Sequence, residues 1–167
     1  MSVCVALKDK TGVWVGSESQ MTDDDSGWLS YSDTPKFIRI DDFVVMTTGA
    51  GTGERTLRKI FGDYKIIPSS SADIETLASI FEEAFSKEDD DISCMVVTQD
   101  DIWSIIRNVV SYHEAYGAIG CGASAALGSL FTTYTLDIPA KERVETAIRA
   151  ACDINAFCGG PIHIDKV

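Results

Sequence analysis

The residue pattern predicts an α+β fold: two antiparallel sheets stacked face to face between helix layers, a four-layer αββα sandwich. Two observations carry this. Apolar β-forming stretches come in hairpin pairs, and the helical stretches come in consecutive pairs, which argues against alternating βαβ units. Read by periodicity, the order is four strands, two helices, three strands, two helices and one strand. A chain of 167 residues supports one full core, so residues 1–167 are expected to form one domain.

Taken in order, Ser2 to Leu7 is a short apolar strand, Lys8 to Gly12 a turn, and Val13-Trp14-Val15 the returning strand. Ser17 to Thr34 reads as a polar loop. Lys36 to Ile40 and Phe43 to Thr47, joined by Asp41-Asp42, form a second hairpin. Glycines at 49, 51 and 53 end it, and a helix follows over Glu54 to Phe61 with Leu57, Ile60 and Phe61 on one face. A second helix, capped by Ser71, places Ile74, Leu77, Ala78, Phe81 and Phe85 at helical spacing. Ile92 to Thr98 and Ile102 to Ile106 predict another hairpin, and Val109 to Ile119 contains one further strand. Small residues from Gly122 to Gly128 predict a helix packed closely on its neighbour. The last helix starts near Pro139, with Val144, Ala147, Ile148, Ala151 and Cys152 inward. Gly159-Gly160-Pro161 breaks it before a final strand at Ile162-His163-Ile164.

The net charge of −12 argues against nucleic acid and anionic membranes, which require Lys/Arg patches. No apolar run approaches the roughly 20 residues of a membrane span. The amino terminus lacks the basic and apolar regions of a secretory signal. The acidic runs Asp23 to Asp25 and Glu88 to Asp91 read as solvated loops, since neither has the spaced ligands of a calcium loop. Five cysteines, an odd number without a C-x-x-C pair, indicate reduced thiols and a cytoplasmic location. No cofactor or metal is expected; with two histidines, His113 and His163, a zinc site would need distant residues to converge.

Gly49-Ala50-Gly51-Thr52-Gly53-Glu54-Arg55-Thr56 imitates a phosphate-binding loop, but Glu54-Arg55 stands where a Walker loop needs lysine. Such a turn, exposing backbone N–H groups, suits an oxyanion instead.

An ordered series of landmarks spans nearly the whole chain. They are Ser2-Val3-Cys4-Val5-Ala6, Gly16 to Thr22, Asp33 to Ile40, the Thr48-Gly49 turn, Ala118 to Leu127, and Phe157 to Gly160. In this order the chain resembles a proteasome-type β subunit of the N-terminal nucleophile hydrolases, at the compact, bacterial proteasome-like end of that family. The resemblance implies a terminal nucleophile at Ser2, a carboxylate at Glu18, an active-site lysine at Lys36 and an oxyanion N–H at Gly49. It also implies supporting roles for Cys121, Asn155 and Cys158. The departures are Ser2 for threonine, Glu18 for aspartate, Cys121 for serine, Asn155 for aspartate and Cys158 for serine.

The implied chemistry is coherent. A serine hydroxyl needs a base beside it, and a free α-amine, with a pKa of about 7.7–8.0, can take the Oγ proton directly or through water. Only a terminal residue carries both groups. Retaining Met1 acylates that amine, so activity depends on its removal. Lys36 would hold positive charge near Ser2, and Glu18 would orient Lys36. Cys121 and Cys158 also read simply as small core residues. The resemblance thus implies a peptidase subunit acting on peptides or unfolded proteins, in a homo-oligomeric ring, with an ATPase unfoldase as a possible partner. Two other readings stay open: a catalytically inactive structural subunit, and an amidase of small molecules.

Overall fold

The computed structural model describes residues 2–23, 28–49, 53–64, 68–85, 92–106 and 109–167. Met1, the acidic stretches 24–25 and 88–91, residues 50–52 of the glycine turn and the Phe85 side chain lie outside the described residues. The described residues hold eleven strands and four helices.

The first sheet contains β1 (Cys4–Asp9), β2 (Gly12–Ser17), β10 (Tyr116–Ile119) and β11 (His163–Lys166), in the order β10-β1-β2-β11 and antiparallel throughout. Asp9 fastens the β1–β2 turn, accepting hydrogen bonds from the Thr11 backbone and hydroxyl, both at 2.7 Å. The second sheet is an antiparallel meander of β5 (Phe37–Ile40), β6 (Phe43–Thr48), β7 (Ser93–Val97), β8 (Ile102–Ile106) and β9 (Val109–His113).

Because side chains alternate along a strand, each central strand feeds two cores. Val3, just before β1, and Val5 and Leu7 within it meet Ala126, Leu130, Val144, Ala147, Ile148 and Ala151 of α3 (Ala123–Thr133) and α4 (Ala140–Ile154). Cys4 and Ala6 point the other way, to Val44, Met46, Met95 and Val97 of the second sheet. From β6 and β7, Phe43, Val45, Cys94 and Val96 pack on Leu57, Ile60 and Phe61 of α1 (Gly53–Tyr64) and Leu77, Ala78 and Phe81 of α2 (Ser71–Phe85). Burial on both faces is why these strands read as unbroken apolar runs. Arg39 of β5 pairs with Asp165 of β11 at 2.7 Å and donates to the Lys166 carbonyl, tying the two sheets together. The predicted four-layer α+β sandwich is the observed architecture. Among the described residues, no helix is long and apolar enough to cross a membrane.

Four local expectations are corrected. The loop expected over Ser17 to Thr34 contains a hairpin, β3 (Gln20–Asp23) with β4 (Trp28–Tyr31). Met21, Leu29 and Tyr31 are exposed on it, so it lacks the apolar-in, polar-out alternation that marks a strand. Val109 to Ile119 is two strands in different sheets, turned at Glu114-Ala115, where Lys8 N–H donates to the Ala115 carbonyl at 2.8 Å. Ser70 caps α2 in place of Ser71. Asp73 closes the cap, accepting from the Ser69 N–H and from the Ser69 and Ser70 hydroxyls. Finally, α4 ends at Ile154, before the Gly159-Gly160 pair, because Asn155 turns into extended backbone.

Adjacent residues of α3 test the layer assignment. Leu130 is 1% exposed and Phe131 is 74% exposed. Leu130→Ala should cost about 2–5 kcal/mol in chemical denaturation. Phe131→Ala, though a larger truncation, should stay within about 0.5 kcal/mol.

A pH test follows from His113, whose Nε2 meets Ser104 Oγ at 2.8 Å. Burial lowers its pKa below the usual 6.5. The unfolded chain therefore takes up a proton at higher pH than the folded one. Stability should fall as pH drops below about 6.5 until the folded histidine is also protonated. His113→Gln should remove that part of the slope in denaturation midpoints measured against pH.

Candidate active site

Ser2 lies just ahead of β1 and is 3% exposed. Its side chain faces one set of groups and its carbonyl another. On the side-chain face, Lys36 Nζ donates to Ser2 Oγ at 2.7 Å, to Glu18 Oε1 at 2.5 Å and to the Gln20 carbonyl at 2.5 Å. An ammonium has three N–H bonds, so these acceptors use all of them. Lys36 is placed from its backbone outward. Its N–H donates to Ser17 Oγ at 2.9 Å, and its carbonyl accepts from Thr47 N–H at 3.1 Å, just before β5 begins.

Glu18 is fully buried at the end of β2. Its Oε1 accepts from Val3 N–H at 3.2 Å as well as from Lys36, and its Oε2 accepts from Gln20 N–H at 2.6 Å and Gly159 N–H at 3.3 Å. A carboxylate has about four acceptor sites, and here four donors meet it. The extra methylene relative to aspartate is therefore accommodated: the carboxylate reaches donors from four separate segments. Leaving any buried carboxylate without such partners would cost several kcal/mol.

The carbonyl of Ser2 is held by the turn between β10 and α3. Gly122 N–H donates to it at 3.3 Å and Cys121 Sγ at 3.5 Å. Gly120 comes closer still. With φ of 95° it adopts the left-handed backbone that side chains disfavour, and a Cβ there would stand 2.2 Å from the Ser2 oxygen. Behind the turn, Cys158 Sγ lies 3.7 Å from Cys121 Sγ. Asn155 Nδ2 donates to the Cys121 carbonyl at 3.0 Å, while Asn155 Oδ1 accepts from Phe157 N–H at 2.9 Å. Asn155 is thus linked to Ser2 through Cys121. Gly49 follows β6 with φ of 119°, and its neighbour Thr48 packs beside Gly120.

The remaining thiols are set apart. Cys4 is buried between the sheets, where its one S–H is shared between the Lys36 and Thr47 carbonyls and burial pushes its pKa up. Burial likewise raises Cys94 to about 12 and Cys152 to about 11. Cys158 is buried and Cys121 exposed, so only the first sits as the small core residue both suggested. Among the described residues no group of three or more His, Cys, Asp or Glu side chains could hold a metal ion.

Sequence reasoning missed Ser17 and Gln20 as positioning groups, together with the Gly159 and Gly122 N–H donors and the close approach of Gly120. Most of these act through the backbone, which leaves no residue-type signature. The glycines flanking Cys121, at 120 and 122, were the one cue present in the sequence.

Glu18→Gln tests the charge network. The amide would turn either its NH₂ toward Lys36 Nζ and Val3 N–H or toward Gln20 and Gly159 N–H, setting donor against donor. The unpaired Lys36 adds to that cost, and a loss of about 3–5 kcal/mol in urea unfolding is expected.

No family model and no curated protein matches the chain by sequence. Solved structures do match in three dimensions. Thiobacillus denitrificans BPH, solved in complex with epoxomicin, superposes with a TM-score of 0.87 at 16% identity, over 99% of this chain and 97% of that one. Eukaryotic HslV from Trypanosoma brucei gives a TM-score of 0.82 at 19% identity, over 98% and 97% of the two chains. A mutant of Anbu from Hyphomicrobium sp. strain MC1 gives 0.78 at 11% identity, over 100% and 81%. The chain has the fold of BPH and HslV, the proteasome-type fold that its ordered landmarks implied.

Proposed function

We propose that the chain is a peptidase subunit of the proteasome type that cleaves peptide bonds with Ser2 as its N-terminal nucleophile. The observation that carries this reading is the 2.7 Å contact from Lys36 Nζ to Ser2 Oγ, inside a network that uses every Lys36 proton. As a donor to Ser2 Oγ, Lys36 favours negative charge on that oxygen and does not itself remove the proton. The base is then the α-amine of Ser2, freed by removal of Met1.

The steps follow from these groups. The amine takes the Oγ proton, directly or through a water, and Oγ bonds to the scissile carbonyl carbon. The oxyanion faces the backbone N–H of Gly49, in the role the resemblance implies. Collapse of the intermediate breaks the C–N bond, the ammonium returns its proton to the leaving amine, and an ester to Ser2 remains. Water, deprotonated by the same amine, then releases the acid. The substrate is a peptide or unfolded protein. On this reading the subunit assembles into a homo-oligomeric ring in the cytoplasm, with an ATPase unfoldase as its partner. A single domain over residues 1–167 completes the reading.

A second reading, an inactive structural subunit, is favoured by the low exposure of Ser2. Intact-mass analysis separates them. Hydrolase function predicts loss of Met1 and a mass increase with a peptidyl β-lactone, absent in Ser2→Ala. Epoxomicin, found bound to the Thiobacillus denitrificans protein, is the second probe. Lys36→Ala should slow labelling by about 10²-fold or more. Full Met1 retention in protein from the native host, with no labelling, would overturn the proposal in favour of the inactive subunit.

A further inference from the structure

We propose that Cys121 and Cys158 form a redox-sensitive dithiol that a peroxide closes to a disulfide, and that closing it withdraws a hydrogen bond from the Ser2 carbonyl. The effect on Ser2 chemistry rests on the hydrolase reading above. The disulfide itself does not.

The two sulfurs are 3.7 Å apart although their residues are separated by 37 positions. Forming a bond of about 2.05 Å asks for a side-chain rotation, with no large backbone movement. Asn155 keeps the two backbones together: its side chain donates to the Cys121 carbonyl, and its own carbonyl accepts from Cys158 N–H at 3.0 Å.

The direction of the hydrogen bonds follows from chemistry. A carbonyl oxygen only accepts, so at Ser2 the donor is the Cys121 S–H. That uses the single Cys121 proton. Between the sulfurs, Cys158 is therefore the donor. The chain runs Cys158 S–H to Cys121 S–H to Ser2 carbonyl.

The pair is also asymmetric in exposure. Cys121 is exposed, whereas Cys158 is buried, and burial beside Cys121 pushes its pKa up. Oxidant therefore reaches Cys121 first. Its thiolate attacks one peroxide oxygen, hydroxide leaves, and Cys121 becomes a sulfenic acid. The Cys158 sulfur then attacks the Cys121 sulfur, hydroxide departs and takes up the Cys158 proton as water. In balance, two thiols and one hydrogen peroxide give one disulfide and two waters. A dithiol reductant reverses the step by thiol–disulfide exchange.

The consequence for Ser2 is local. Its carbonyl has two donors in this turn, Cys121 Sγ and Gly122 N–H. Oxidation abolishes the first outright, because a disulfide sulfur carries no proton. It also pulls Cys121, next to the tight Gly120 contact, toward Cys158. The grip that positions the nucleophile loosens on its carbonyl side.

The test uses the full chain, fully reduced, then exposed to hydrogen peroxide, alkylated and mapped by peptide mass spectrometry. The expected result is a Cys121–Cys158 cross-linked peptide and an intact mass lower by two hydrogens. In Cys158→Ser, Cys121 should instead be trapped by a 1,3-dione as the sulfenic acid. Cys152→Ser should leave the cross-link intact. Should Cys158→Ser not fold, as read from its thermal melt, the wild-type map alone decides. A cross-link through Cys152, over-oxidation of Cys121 without a cross-link, or unchanged free thiols would overturn the pair.

Ser2 labelling by the β-lactone provides the second arm. It should fall several-fold on oxidation and recover with dithiothreitol. Unchanged labelling in protein whose disulfide has been mapped overturns the coupling to Ser2. Absent labelling in reduced protein overturns the hydrolase reading instead, and the peptide map still decides the disulfide.

Discussion

The buried carboxylate of Glu18 is the constraint on which the site depends. It gathers N–H donors from Val3, Gln20 and Gly159 and the ammonium of Lys36, so it joins four parts of the chain at one point. A carboxylate in the interior is tolerated only with such compensation, since its desolvation would otherwise exceed any single hydrogen bond. Holding it there fixes Lys36, and Lys36 in turn fixes Ser2 Oγ. The apolar sandwich supplies the rigidity on which this geometry rests. The strand that follows Val3 is packed on α3 and α4 through one face and on the second sheet through the other.

Ser2 is gripped from two sides that differ in chemical character. The hydroxyl side is charged: a buried acid and an ammonium with all protons assigned. The carbonyl side is soft, built from a thiol, a glycine N–H and a glycine whose missing Cβ makes the approach possible. A charged side is hard to weaken without unfolding, because each partner left behind is a buried charge. A thiol can be altered covalently while the fold stays intact. Any adjustable element of this site therefore belongs on the carbonyl side.

Layers and cores were largely legible in the sequence because they depend on periodicity. Leu57, Ile60 and Phe61, or Val144, Ala147 and Ile148, mark a buried helix face by spacing alone, and all are buried together. The hairpin β3–β4 was not legible, since Met21, Leu29 and Tyr31 point to solvent and break the alternation that a half-buried strand shows. The division between β9 and β10 was hidden for a different reason: both halves favour strand, and only tertiary pairing sends them to separate sheets. In the site, Ser2, Glu18 and Lys36 were nameable by alignment of landmarks, and the structure brings their side chains together. Their backbone partners were not. A carbonyl at Gln20 or an N–H at Gly159 is available in every residue type, so only the path of the chain selects it.

The turn after α4 connects both sides of Ser2. Within five consecutive residues, Gly159 N–H supports Glu18, Cys158 touches Cys121 and Asn155 holds the Cys121 carbonyl. Gln20 closes the arrangement by donating from its side chain to the Ala156 carbonyl at 2.9 Å. The end of α4 at Asn155 therefore shapes the surroundings of Ser2 as well as the helix itself. Continuing the helix would commit the Gly159 N–H to the Asn155 carbonyl, four residues back, and take it away from Glu18. Asn155 in extended backbone ends the helix and folds the chain toward both the acid and the thiol. The substitutions that set this chain apart from the proteasome-type pattern fall on this contact: Asn155 and Cys158 in the turn itself, and Cys121 opposite them. Glu18 and Ser2 lie one contact further on. Of these five positions, Cys121 and Cys158 meet side chain to side chain, Asn155 holds the Cys121 carbonyl, and Glu18 and Ser2 meet through Lys36.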